Sequence, residues 1–174
     1  MQLEMKEDPS TIEAKNQFLT FLLDKEEYGV EILNVQEIKS WGPYTPLPKS
    51  PDHVLGVINL RGAIVPIIDL RSRFKLPASK PTDTTAIIIV RSEHEDQIRI
   101  IGLVVDSVSE VYQLREENVQ DAAEMHNSGD CPASSVPTNF VRAFGKIDDN
   151  LLILINLEPI VSSSVESIPA EIEL

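Results

Sequence analysis

The sequence predicts an all-β chain built as one or two small barrels rather than a layered α/β fold. Strand-length segments recur about ten times along it, either apolar or alternating with period two. Turn-forming Gly, Pro, Asp and Asn separate them, and little of the chain reads as helix. Both ends of the segmented region are strands, which favours barrel closure.

Phe18, Leu19, Phe21, Leu22 and Leu23 form the first strand-length run. Residues 27–32 alternate around Tyr28, Val30 and Ile32, the pattern of a half-buried strand. Val35, Gln36, Glu37, Ile38 and Lys39 alternate again. Pro43, Pro46, Pro48 and Pro51 then impose an extended loop, because each proline also steers its predecessor away from helix. Residues 54–60 and 63–69 flank Arg61-Gly62, a tight hairpin in which Gly62 supplies a positive φ. Pro66 is expected at an edge or bulge, since it cannot donate to a ladder. Asp69 is placed to cap one short helical turn over residues 69–74.

A second group of strands covers residues 84–90 and 98–105, with a polar turn over 92–97. Residues 108–114 form a kinked strand, and 140–147 and 151–155 flank the hairpin turn Asp148-Asp149-Asn150. Residues 121–138 read as a long loop, of the kind that is functional or mobile. Residues 1–16 and 162–174 are polar and mostly acidic, with too few apolar groups to offset their ordering entropy. The expected organisation is an N-terminal tail (1–16), a single domain of two barrel sub-domains (17–161) and a C-terminal tail (162–174).

With 174 residues the chain is long enough to bury roughly 70% of its unfolded surface without disulfide or metal support. Hydrophobic residues make up 42% of it and the mean hydropathy is −0.07, ordinary for a soluble globular protein. The net charge of −13 argues against binding a phosphate backbone or an anionic membrane. An aromatic content of 5% argues against an oligonucleotide-binding barrel as well. One cysteine, Cys131, favours a reducing compartment, and no secretory signal or membrane-spanning run is visible. The expected location is the cytoplasm, with no direct membrane insertion.

His53, His94 and His126 lie far apart, and no metal-ligand spacing links them to Cys131. Carboxylates adjacent in sequence, such as Glu116-Glu117 and Asp148-Asp149, solvate turns more readily than they perform acid–base work. No glycine-rich phosphate loop occurs. The sequence therefore supports neither an enzyme, nor a metal, nor a cofactor. A small barrel enzyme using loop carboxylates is the contrasting class, and it requires a polar pocket with perturbed carboxylates.

One segment is more specific. Gly56-Val57-Ile58-Asn59-Leu60-Arg61-Gly62, followed by residues 64–71 (IVPIIDLR), resembles the signature of the CheW family of chemotaxis coupling proteins. Tyr28-Gly29-Val30, Val35-Gln36-Glu37-Ile38, Pro48 and Pro51 precede it in the family's order. Residues 101–108 (IGLVVDSV) are similar to the family's GLxVDxV strand pair, and residues 151–158 to its closing strand. The likeness spans residues 17–161. It departs in a longer 121–138 loop and in Asn156, where many members carry Asp.

The resemblance implies two small five-stranded SH3-like β-barrels sharing a hydrophobic core, with one or two short helices. It implies a non-enzymatic adaptor joining chemoreceptor cytoplasmic tips to the regulatory domain of the histidine kinase CheA. Kinase and adaptor, with other adaptor copies, would meet in rings beneath receptor arrays. A coupler of a related pathway, such as twitching motility or surface sensing, fits the same residues.

For a receptor helix, an apolar groove walled by Val35, Ile38, Gly56, Ile58 and Leu60 is expected, with Asn59 and Gly62 beside it. Gly56 is expected to let a partner approach the backbone. The resemblance carries a receptor-coupling role to Glu37 and Arg61, expected to pair across neighbouring strands at the groove rim. The kinase-facing candidates are Tyr44 and Leu47 on the proline-stiffened loop and Glu124 and Met125 in the long loop. Arg61, Arg71, Arg73 and Lys75 form a local basic group near the hairpin, suited to an acidic protein edge.

Overall fold

The computed structural model describes residues 16–124 and 136–166. They form two β-sheets. Strands β1 (Gln17–Leu23), β2 (Glu26–Glu31), β9 (Ser107–Gln113), β10 (Val119–Asp121), β11 (Val141–Ile147) and β12 (Asn150–Ile155) make the first, in the order β9-β1-β2-β12-β11-β10. Strands β3 (Val35–Ser40), β4 (Thr45–Pro46), β5 (Val54–Leu60), β6 (Ala63–Asp69), β7 (Ala86–His94) and β8 (Gln97–Val105) make the second, in the order β3-β7-β8-β6-β5-β4. Five longer strands per sheet match the expected five-stranded barrels, and the stubs β4 and β10 each add a sixth.

Four hairpins, β1–β2, β5–β6, β7–β8 and β11–β12, turn on two residues each. Their tips demand left-handed backbone: Asp24 and Lys25, Arg61 and Gly62, Glu95 and Asp96, and Asp148 all have φ between +49° and +88°. Such primed turns match the right-handed twist of the flanking strands. The β7–β8 turn is tighter than expected, because both strands extend out to His94 and Gln97.

The apolar runs are explained by burial on both faces. Ile67, Ile87, Ile89 and Val104 fill the interior of the second sheet, whereas their neighbours Ile68, Ile88, Val90, Leu103 and Val105 belong to a core shared by both sheets. The first sheet divides the same way. Phe18, Leu152 and Leu154 face its own interior, and Leu19, Phe21, Ile153 and Ile155 face the shared core. Strands buried on both faces read as continuous apolar runs rather than alternating ones.

The two sheets repeat one plan. In each, the first and second strands pair around a bulge, the third and fourth are parallel, and the fourth and fifth form a bulged hairpin. The fourth strand runs into a helix, β6 into α1 (Leu70–Arg73) and β12 into α2 (Leu157–Glu166). The Asp69 and Asn156 amides donate to His53 O and Phe140 O, both at 2.8 Å. Residues 29–38 and 102–111 align without a gap, sharing Gly29/Gly102, Val35/Val108 and Glu37/Glu110.

Three local expectations change. Pro66 lies on an inner strand, one residue before β6 begins pairing with β8 at Ile67, so β8 asks no donor of it. The segment resembling the closing strand stops at Ile155, and residues 157–158 begin α2. That helix passes the expected tail boundary at Ser162 and buries Leu157, Ile160, Val161 and Ser164. The sequence signal was present, because Leu157, Ile160, Val161 and Ser164 follow helical spacing. Asp69 caps α1 as expected, its Oδ1 accepting the Arg71 amide at 3.1 Å.

A methyl group on Gly56 would stand 2.1 Å from Thr45 O, a backbone atom. Gly56→Ala is therefore expected to cost about 3 kcal/mol through overpacking. Gly42→Ala, with its nearest neighbour at 4.0 Å, should change stability by less than about 0.5 kcal/mol. Urea unfolding of the two variants checks the contrast.

Candidate interaction surface on the second barrel

The groove-wall candidates divide between two faces. Val35 and Ile38 pair with Val90 and Ile88 on the face toward the shared core. Val35 is half-buried there, whereas Ile38, on edge strand β3, is 47% exposed. Gly56 and Ile58 pair with Ile67 and Val65, which face the interior of the second barrel, and Ile58 and Leu60 pack against that interior. The five residues thus form no single wall. The bulge between Val35 and Glu37 resets the alternation of β3, which a reading by simple period two misses. Gly56 also has a different role from the one expected, since its own β4 occupies the space offered to a partner.

Glu37 and Arg61 do meet. Arg61 Nη2 lies 3.1 Å from Glu37 Oε2, with the arginine side chain 83% exposed and the glutamate 25%. Their strands are not neighbours, however: β3 and β5 are first and fifth in the sheet. Curling of the sheet brings its ends together, and the pair bridges the seam. Arg61 holds φ +52° at the hairpin tip, and the Gly62 amide donates to Asn59 Oδ1 at 2.9 Å, steadying the turn. In water such a pair contributes about 0–1 kcal/mol, so it orients the guanidinium more than it stabilises the barrel.

Beside this bridge the seam opens into a groove of about 390 Å³, lined by Lys39, Tyr44, Val57, Ile58, Asn59 and Ile87 among others. Trp41 packs on Tyr44 with ring centroids 5.7 Å apart. Ile58 and Asn59, assigned to the receptor, and Tyr44, assigned to the kinase, therefore line one groove. Leu47 lies elsewhere, packed against the shared core. Glu124 is exposed, and Met125, like Cys131, lies outside the described residues. Lys39 and Trp41 were not singled out as site residues. The lone tryptophan beside a proline-rich loop was the available signal.

The basic group disperses. Arg71 forks onto Asp106, with Nε–Oδ1 and Nη2–Oδ2 distances of 2.7 and 2.5 Å, and its Nη1 donates to Pro77 O. The Asp24 amide donates to the same carboxylate, tying the first sheet to α1. Arg73 donates to Ser163 Oγ and lies 4.5 Å from the centre of the Phe140 ring, anchoring α2. Two of the four cations thus serve packing rather than an acidic partner. Burial pushes the Asp106 carboxyl up, but the Arg71 fork and the Asp24 amide outweigh it and hold the group below its ordinary value. Burial lowers the His53 imidazole, and nearby Arg73 lowers it further. Among the described residues, no cluster of His, Cys, Asp and Glu is placed to hold a metal. No helix there is long and apolar enough to cross a membrane.

The CheW-like domain family matches residues 17–165. The chain belongs to the CheW-like family. It is 37% identical to the chemotaxis protein CheW of Klebsiella aerogenes over 147 residues, 84% of this chain and 82% of that one. It is 34% identical to the CheW of Helicobacter pylori, covering 83% and 81%. The crystal structure of the scaffolding protein TtCheW from Thermoanaerobacter tengcongensis superposes with a TM-score of 0.70 at 33% identity, covering 82% of this chain and 89% of that one. The DLR and VD elements of the CheW-like resemblance include the Arg71–Asp106 fork, so part of that motif maintains the fold.

The fork has a pH signature. A carboxyl held low in the folded state stabilises fully above its unfolded pKa, about 4, and that stability is lost as the pH falls through the folded value. Asp106→Asn should therefore flatten the acid limb of the stability profile below about pH 4. Arg71→Ala should cost about 2 kcal/mol at neutral pH, because it leaves a part-buried carboxylate without its fork. Chemical denaturation across pH 3–7 measures both.

Proposed function

We propose that the chain is a non-enzymatic chemotaxis adaptor that couples chemoreceptor cytoplasmic tips to the histidine kinase CheA. The observation that carries this reading is the Glu37–Arg61 bridge. It joins two residues that the family resemblance assigns to receptor coupling, across a seam that the fold itself leaves open. Receptor contact then involves this rim and the exposed Ile38 edge, on a surface already assembled before binding. The regulatory domain of the kinase is assigned to the Tyr44 side of the groove and to the segment containing Glu124. Leu47 and Met125 are weaker members of that set, Leu47 because it packs inward.

Such a protein acts by contact. It shifts the active population of the kinase only as far as its binding differs between receptor states. Its place is the cytoplasmic face of receptor arrays, in rings with the kinase and with further adaptor copies.

Arg61→Glu removes an exposed cation and sets a second carboxylate against Glu37. The urea midpoint should barely move, with a stability change of about 0–1 kcal/mol. Capture of a receptor signalling fragment and receptor-dependent kinase activity should fall at least about fivefold, with partial recovery in the Glu37→Arg/Arg61→Glu double variant. Normal coupling by a folded Arg61→Glu protein would remove the rim from the receptor contact.

A further inference from the structure

The repeat places an unmatched counterpart of the Glu37–Arg61 bridge on the first barrel. Strand β9 repeats β3, so Glu110 stands where Glu37 stands. Tyr112 pairs with Phe18 as Lys39 pairs with Ile87. The β11–β12 hairpin repeats β5–β6: Ala143 pairs with Leu154 as Gly56 pairs with Ile67, and Ile147 with Asn150 as Leu60 with Ala63. The first tip residue is therefore Arg61 in one barrel and Asp148 in the other, and both hold φ +52°. Where the second barrel sets a guanidinium against its glutamate, the first sets a carboxylate.

Glu110 and Asp148 are both exposed, and neither has a cationic partner among the described residues. The Tyr112 phenol, hydrogen-bonded to Glu110, is held above its ordinary value first by the charge of Glu110 and then by burial, with Glu27 and Asp148 adding to it. Val111, beside Glu110, is 49% exposed and repeats Ile38. The second barrel shows what the geometry accepts, since the repeated glutamate there binds an arginine from the same chain at 3.1 Å.

We propose that the Glu110–Asp148 rim of the first barrel receives an arginine presented by a protein partner, which completes in trans the bridge that the second barrel makes in cis. The planar fork of arginine suits two carboxylates better than the point charge of lysine. Charge complementarity of this kind sets orientation and partner choice more than raw affinity.

The site can be tested without knowing the partner, so the result does not depend on the coupling reading. Full-length protein is titrated with N-acetyl-arginine amide and, separately, with its uncharged citrulline counterpart, while the backbone amides are followed by NMR. The expected result is saturable shifts at Glu110 and Asp148 with the arginine compound only. Those shifts should be lost in Asp148→Arg, whose own side chain fills the site, and reduced in Glu110→Gln. A protein partner using the rim should bind each variant about fivefold more weakly, with the loss shrinking at high salt. Shifts that are absent, equal with citrulline or unchanged in both variants overturn the proposal. Self-association of the wild type that Arg61→Glu abolishes also overturns it, because the occupant is then a second copy of this chain.

Discussion

The structure depends on strands that bury both faces. A sheet of five or six short strands, closed on itself, encloses little apolar volume, and a barrel this small is marginal alone. Here each sheet keeps a small interior and turns its other face onto a common core. Phe21, Tyr28, Phe74 and Phe140 stack through that core with centroid spacings of 5.5 to 5.8 Å. The largest core belongs to both barrels at once, because Ile88 and Leu103 from one sheet pack in it with Leu19 and Ile153 from the other. The ion pairs that cross between the sheets, such as the Arg71 fork, work at the margin of this burial.

The shared core also explains how closely the two halves repeat. At the parallel junction of each sheet stands a glycine, Gly29 beside Leu154 and Gly102 beside Ile67, where an added Cβ would meet the neighbouring side chain at 3.0 Å. Parallel strands within a barrel this small leave no room for side chains at both positions. The bulges on β9 and β3 serve the same closure by bending the edge strands. At the first bulge Thr20 is fully buried, and its hydroxyl bonds both the amide and the carbonyl of Glu110, replacing ladder bonds that the bulge breaks.

Much of this was legible in the sequence. Turn chemistry located the Arg61-Gly62 and Asp148-Asp149 hairpins, and the absence of long amphipathic periods indicated the all-β class. The division of apolar residues between two faces was not legible, because a run such as Ile87-Ile88-Ile89 contains no polar residue to mark which face is which. The candidate site was half legible for the same reason. Glu37 and Arg61 are polar residues in apolar strands and stand out. The directions of Ile38 on β3 and of Ile58 and Leu60 on β5 depend on two bulges that have no side-chain signature. The helix over Ser162-Ser163-Ser164 was missed because composition outweighed spacing. Three serines look like a linker until Ser164 is seen to be buried and Ser163 to bind Arg73.

Two barrels that share one plan but differ at their rims give the molecule two distinct surfaces of the kind the proposed adaptor role needs. Both barrels must keep the glycines, bulges and hairpin tips that closure requires, which leaves the first tip residue and the outward residues of the edge strands as the positions free to vary. At the tip one barrel carries Arg61 and the other Asp148. On the edge strand, in the repeated register, one carries Lys39 and the other Tyr112. Each exchange alters charge at a seam while leaving the core unchanged, so the two ends of the molecule present different electrostatic faces on the same backbone. Because Arg61 and Asp148 at the tips are exposed and worth little to stability, they can be set by recognition alone.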